Sequence, residues 1–222
     1  MIEAILPTVA VTVTTRAELD RPLFPEEEAA LGLAVEKRRR EFTTVRACAR
    51  QALARLGLPE VGIPTGEQGE PLWPAGVVGS LTHCDGYRAC ALAQAGDLLT
   101  IGIDAEPNAP LPSGLLPDIA RPEEIPELLE LARLAPETHW DRLLFSAKES
   151  VYKAWFPLAK RWLGFEDATL AIDPNAGTFS ARLLVPGPLV DGRQLTGFTG
   201  RWAARDGLVA TAIAVPAGGP VQ

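Results

Sequence analysis

Three short segments of this chain hold side chains that could do chemistry together. The first is Gly102-Ile103-Asp104-Ala105-Glu106, in which one residue separates two carboxylates. On a strand, alternate residues share a face, so Ile101, Ile103 and Ala105 would enter a core while Gly102, Asp104 and Glu106 point the other way. Both acids then stand on one side, about 6.5–7 Å apart along the strand. Like charges so placed repel unless something positive sits between them. A strand end fraying into solvent would also account for them. The second segment, Phe145-Ser146-Ala147-Lys148-Glu149-Ser150-Val151-Tyr152-Lys153, has helical spacing. Leu144, Ala147, Val151 and Ala154 or Trp155 would form its buried seam, with Glu149 and Lys153 as neighbours one turn apart. An ordinary exposed ion pair has the same spacing. The third segment, Val78-Gly79-Ser80-Leu81-Thr82-His83-Cys84, puts one of only two histidines at the end of an apolar strand. With nearby backbone N–H groups, an imidazole there could hold an anion such as phosphate.

A fourth feature is electrostatic. The chain carries a formal charge of −7, which argues against a general nucleic-acid binder, whose phosphate contacts need surplus Lys and Arg. Yet Glu36-Lys37-Arg38-Arg39-Arg40-Glu41, followed by Arg46, Arg50 and Arg55, is locally basic. It reads as an anion-binding stripe or as a solvated helix face. Helix geometry nearly aligns Arg39 with Arg46, seven residues apart, and turns Arg38 about 80° from Arg46. Long guanidinium arms can bridge that angle, so both pairings stay open.

The elements that must position these groups follow from pattern. Residues 1–15 read as an opening strand. A long helical pattern, of one or two helices, runs from Pro25 to about Leu56 and is ended by Gly57 and Pro59. Residues 57–76 are loop. Residues 77–106 are β, with turns at Asp85-Gly86 and Ala95-Gly96-Asp97. A Pro-rich linker spans 107–117, helices lie near 123–135 and 138–158, and the chain returns to β from Ala168. Both halves run helix first and then close in β, a faint internal duplication. The expected architecture is α+β: two similar α/β halves related by pseudo-twofold symmetry, residues 1–106 and 107–222, with the site between them. Three cysteines, Cys48, Cys84 and Cys90, with no C-x-x-C pair, indicate neither a disulfide framework nor a zinc site. The N-terminus lacks a basic leader and a cleavage pattern, and no apolar run reaches the ~18–20 residues of a membrane span. A reducing cytoplasm is the expected compartment.

Taken together, the segments resemble the 4′-phosphopantetheinyl transferases of the surfactin-synthetase type, and most closely their actinobacterial members. That family's pattern is a strand ending in G-I-D-x-E and then a helical [FW]-[ST]-x-K-E-[SA]-x-x-K. Gly102–Glu106 and Phe145–Lys153 match it. Ser80-Leu81-Thr82-His83 resembles the family's S-[IL]-[ST]-H strand, and Gly69-Glu70-Pro71 its G-[KE]-P loop. The match reaches from about Arg38 through Lys160-Arg161-Trp162-Leu163-Gly164-Phe165-Glu166-Asp167, and the segment Thr44–Arg50 carries the actinobacterial likeness.

The resemblance implies the fold of that family and transfer of the 4′-phosphopantetheine arm of coenzyme A to a serine of an apo acyl or peptidyl carrier protein. Adenosine 3′,5′-bisphosphate is the other product. It implies Mg²⁺ held by Asp104, Glu106 and Glu149, with Glu149 as candidate base and Lys153 at the leaving phosphate. It assigns Arg38 and Arg46 to the nucleotide end, His83 and Lys148 to phosphate oxygens, and Gly69, Glu70, Pro71 and Thr82 to coenzyme binding. The first half would carry the nucleotide contacts; the second would carry the catalytic helix and the carrier contacts. Tyr152, Trp155, Phe156, Trp162 and the Leu111–Pro117 stretch are candidates for the carrier surface. No nucleic acid or membrane partner is expected, and a monomer is the default. Gln68 stands where relatives often have Lys, which removes one ionic contact. The same acids could instead serve a metal-dependent pyrophosphate hydrolase, or the fold could hold coenzyme A without turnover.

Overall fold

The computed structural model describes residues 1–218. The N-terminus differs from the single long strand expected. Ile2–Ala4 is a 3₁₀ turn, and strand β1 covers only Val11–Thr15. Pro7, which has no N–H to give to a ladder, lies between them. Helix α1 (Pro25–Leu31) starts with Pro25 and three glutamates, and Glu27 Oε2 accepts the Phe24 N–H at 2.9 Å. Gly32, at φ +51°, ends it. Helix α2 (Glu36–Arg55) follows, so the long helical pattern is two helices.

Strands β2 (Val77–Cys84), β3 (Tyr87–Gln94) and β4 (Leu98–Pro107) come next, with turns at the two expected places. The Pro-rich linker contains a short α3 (Leu116–Ile119), before α4 (Ile125–Leu134) and α5 (Trp140–Ala159). The remainder is β: β5 (Ala168–Asp173), β6 (Thr178–Leu183), the two-residue pair β7 (Leu189–Val190) and β8 (Arg193–Gln194), then β9 (Gly197–Arg205) and β10 (Leu208–Pro216).

The fold is α+β. One antiparallel sheet has the order β1-β3-β2; a second runs β4-β10-β9-β6-β5. Strand β4, which follows the first sheet in sequence, pairs with β10, placing Asp104 opposite Thr211 and Ala105 opposite Ala210. The two sheets meet where β2 passes β4, and side-chain hydroxyls make the join. Ser80 Oγ accepts the Ile103 N–H at 3.1 Å, and Thr82 Oγ1 accepts the Ala105 N–H at 3.0 Å. Ile101, Ile103 and Ala105 face a core shared with Ala89, Ala91, Ala210 and Ala212, so the alternation read from β4 holds.

Helix α5 lies across the opposite face of β4 and β10. Its seam residues Leu144, Ala147, Val151, Ala154 and Trp155 are all buried in one cluster. The crossing is close at Gly102, where a Cβ would fall 2.0 Å from the Ser150 carbonyl oxygen. Gly102 therefore admits the helix. Ser146 and Ser150 fasten α5 to β10 through Thr211 Oγ1, at 3.0 and 2.6 Å. These buried hydroxyls satisfy one another, as groups removed from water must. The register of α5 against β4 is thereby set, and with it the position of Glu149 and Lys153.

Candidate functional site

A cleft of about 750 Å³ opens between α2, the 65–73 loop, β2 and α5. Of the residues expected in a site, it gathers Arg38, Arg46, Gly69, Glu70, Pro71, His83, Glu149 and Lys153. Asp104, Glu106, Thr82 and Lys148 are not among its lining.

At the basic end, Arg38 Nη1 lies 2.8 Å from His83 Nε2. Burial and then the Arg38 charge hold His83 below its ordinary value of 6.5, so at neutral pH it is a neutral ring able to accept from Arg38. Arg46 is buried. Its guanidinium carbon sits 4.3 Å from the centre of the Phe42 ring, and Nη2 donates to Thr65 Oγ1 at 2.9 Å. Burial lowers its pKa to about 10, against the pull of Glu27, so it stays charged. Its Nε is buried with no hydrogen-bond partner. The other arginines are committed elsewhere: Arg39 to Glu28, Arg40 to Glu18 and Glu36, Arg50 to Glu27. Helix geometry left Arg38 and Arg39 open as partners of Arg46; Arg38 is the one that shares the cleft with it.

Glu27 is a site residue that the sequence did not disclose. Fully buried, it accepts from Arg50 at 2.9 Å and from the Ile63 N–H at 3.0 Å, and lies 3.9 Å from Arg46 Nε. It thus supports Arg46 and anchors the loop behind it. In that loop the Gly66 N–H donates to the Glu70 carbonyl at 2.8 Å, and Gly69 takes φ +85°. A glycine suits that conformation because it has no Cβ to clash. Glu70 Oε2 accepts the Gln68 N–H at 3.0 Å, so Glu70 closes its own turn.

The acid end is held differently. Lys153 Nζ donates to Asp104 Oδ1 at 2.7 Å and to the Ile103 carbonyl at 3.2 Å. Burial alone would lower the Lys153 pKa, but Asp104 and Glu149 outweigh it and raise it. Thr82 is buried and donates to Asp104 Oδ1 at 3.1 Å, so it steadies that carboxylate from outside the cleft. Arg142, also unforeseen, donates to Glu106 Oε2 at 3.0 Å. Burial, reinforced by the Asp104 charge, pushes Glu106 up to about 7. Glu149 is raised by burial, with a further contribution from Asp104.

These three carboxylates fit a hard divalent cation. Asp104 Oδ2 is buried and has no partner, and both glutamates are disfavoured as bare anions, a strain that an oxygen-liganded ion relieves. Among the described residues, however, no three His, Cys, Asp or Glu side chains already converge as a metal site. Lys153 bonds one oxygen of Asp104 and Arg142 one oxygen of Glu106.

Lys148 departs from the phosphate role expected of it. Its Nζ ion-pairs with Glu124 at 2.9 Å and donates to the Phe165 and Ala168 carbonyls at 2.9 and 3.1 Å. Those three partners match an ammonium's three protons, and the side chain is buried. Glu124 lies in a different helix start, and nothing near Lys148 in sequence signals it. A second hollow, of about 320 Å³, adjoins Glu149 and is lined by Gln68, Tyr152, Trp162, Leu163 and Phe165. Of the candidate surface aromatics, Trp162 is 69% exposed while Trp155 is fully buried core.

The two-sheet α+β fold thus sets Arg38, Arg46 and His83 in one cleft with Glu149 and Lys153, a set suited to group transfer. Residues 26–93 match the 4′-phosphopantetheinyl transferase N-terminal domain, and residues 100–194 match the 4′-phosphopantetheinyl transferase superfamily. The chain is 58% identical to 4′-phosphopantetheinyl transferase Svp of Streptomyces mobaraensis, over 98% of this chain and 90% of that protein. It is 50% identical to 4′-phosphopantetheinyl transferase Npt of Nocardia iowensis, over 96% and 99%. To 4′-phosphopantetheinyl transferase PptT of Mycobacterium tuberculosis the identity is 46%, over 96% and 97%. The chain belongs to the 4′-phosphopantetheinyl transferase family. Its activity is transfer of the phosphopantetheine arm to carrier proteins. Among the described residues, no helix is long and apolar enough to cross a membrane.

Proposed function

We propose that the chain is a surfactin-synthetase-type enzyme that takes coenzyme A and modifies the serine of apo acyl or peptidyl carrier proteins. The serine oxygen attacks the β-phosphorus, the bond from that phosphorus to the bridging oxygen breaks, and adenosine 3′,5′-bisphosphate leaves. Arg38 and Arg46 bind the nucleotide's phosphate, with His83 accepting from Arg38 and orienting it. Glu149 takes the serine proton. Burial raises its pKa, which makes it a better proton acceptor than an exposed carboxylate. Lys153, kept charged by Asp104 and Glu149, offsets the charge that develops on the leaving phosphate. Asp104, Glu106 and Glu149 would hold Mg²⁺, which when bound neutralises pyrophosphate charge.

The division of labour we infer gives the first half, residues 1–106, the nucleotide contacts and the second, 107–222, the catalytic helix and carrier contacts. Strand β4, which pairs with β10, brings the two together. A cytoplasmic monomer is consistent with three buried free cysteines and with a cleft completed within one chain. The observation that carries this reading is that Glu149 and Lys153 share one cleft with Arg38, Arg46 and His83.

The test is intact mass spectrometry of an apo carrier protein incubated with this protein, coenzyme A and Mg²⁺, with and without chelator. One added phosphopantetheine, absent with chelator, is expected. Consumption of coenzyme A without a carrier would establish a hydrolase instead. An adduct formed equally in chelator would remove the metal from the reading.

A further inference from the structure

Arg142 lies outside every motif that drew attention to the site. It precedes Glu149 by seven residues, two helical turns, and so shares its face of α5. Its guanidinium spreads over three acceptors: Nη1 to Glu106 Oε2 at 3.0 Å, Nε to the Ala109 carbonyl at 3.1 Å, and Nη2 to the Pro110 carbonyl at 3.0 Å. Neighbouring bonds extend this staple. The Leu111 N–H donates to Asp141 Oδ2 at 2.8 Å; Asn108 Nδ2 donates to the Glu137 carbonyl at 2.8 Å, and Asn108 Oδ1 accepts the His139 N–H at 2.9 Å. Every residue from Asn108 to Leu111 is thus tied to the segment 137–142.

Glu106 needs such support. It stands at the end of β4, on the same face as Asp104, and like charge drives the two carboxylates apart. Its side chain has three rotatable bonds and an outlet to solvent. An ammonium can also meet a carboxylate and two carbonyls, as Lys148 does, but it is a point charge. The rigid planar fork of Arg142 instead fixes the direction in which Glu106 Oε2 is held relative to the two carbonyls. The fork engages Oε2 and leaves Oε1 for another ligand.

We propose that Arg142 is a positioning residue for the divalent-cation site: it holds the Glu106 carboxylate on the face shared with Asp104 and couples that site to the chain leaving β4. This rests on the reading that Asp104, Glu106 and Glu149 hold the ion. Lys148, by contrast, steadies α5 against the segment Phe165–Ala168 and touches none of the three acids.

The test compares Arg142→Lys and Arg142→Gln with the parent chain in two measurements. One is Mn²⁺ affinity of the free enzyme by electron paramagnetic resonance; the other is turnover against Mg²⁺ concentration. Positioning predicts that both variants bind Mn²⁺ about 10-fold more weakly, and that excess Mg²⁺ restores turnover. If Arg142 acted only as a charge, Arg142→Lys would bind as the parent does and Arg142→Gln would bind more tightly, and the proposal would fall. A lower melting temperature with unchanged Mn²⁺ affinity would reduce Arg142 to a fold residue and overturn it equally. Asp104→Asn and Glu149→Gln serve as the control arm. Should both retain parental Mn²⁺ affinity, the ion reading itself fails; should they lose it while Arg142→Lys does not, only the positioning proposal fails. If Arg142→Lys does not fold, Arg142→Gln decides by its direction.

Discussion

On the α2 side, three guanidinium groups meet two carboxylates in two sets: Arg46 and Arg50 flank Glu27, and Arg38 bonds a neutral His83 that lies 3.5 Å from Glu41 Oε2. On the α5 side the ratio inverts: Glu149 and Lys153 line the cleft, and Asp104, Glu106 and Arg142 lie outside its lining, with Lys153 paired to Asp104 and Arg142 to Glu106. Each end keeps its groups in place by internal ion pairs and is left with one charge uncompensated. A net charge of −7 is compatible with a local anion site, because Arg38 and Arg46 line the cleft whereas Glu27 and Glu41 do not. The surplus at one end suits phosphate; at the other it suits a cation that also meets phosphate.

The strongest way to break this comparison is to remove the acid nearest the chemistry. Glu149→Gln should lower kcat by about 10²–10⁴, while coenzyme A affinity by calorimetry changes far less. Full turnover in that variant would take Glu149 out of the mechanism. At the basic end, Arg46→Ala deletes a buried charged donor worth about 1.5–3 kcal/mol. The expected result is coenzyme A binding weakened roughly 10–150-fold with kcat at saturation little altered. A large fall in kcat instead would mean that the two ends do not divide binding from chemistry.

Acidity should separate the ends more gently. Glu106, at about 7, gains a proton as pH drops through neutrality, while His83, held low, stays neutral there. Mn²⁺ affinity of the free enzyme should fall between pH 7.5 and 6, approaching tenfold per unit at the lower end, while coenzyme A affinity holds. Stability in chelator should move the opposite way. A carboxyl whose folded pKa lies above its ordinary 4.5 binds more protons when folded, so the metal-free fold gains stability as pH falls from about 7 toward 4.5. Thermal melts of the parent and Glu106→Gln at pH 8 and 6 check the sign. The part of the gain due to Glu106 should vanish in the variant.

Legibility in the sequence tracked distance along the chain. The two acids of β4 and their opposing apolar face followed from a period of two. Glu149 beside Lys153, and the seam of α5, followed from a period of 3.6. The turns at Asp85-Gly86 and Ala95-Gly96-Asp97 were equally visible. Less accessible were the facts that depend on partners far away. Lys148 and Lys153 lie five residues apart on one helix, yet one is taken up by Glu124 and two carbonyls and the other is drawn to Asp104. Gly102 shares a face of β4 with the acids, yet only the fold shows that α5 crosses there.

By itself, then, the order of residues determined which side chains share a strand or helix face, because backbone geometry dictates neighbours within a turn or a pleat. Only the folded chain decided which of those side chains reaches the site. Arg38 over Arg39, Lys153 over Lys148, and the support of Glu106 by Arg142 all rest on long, flexible, charged groups finding acceptors brought near by packing. Such a choice depends on where other elements land, and no local period encodes it.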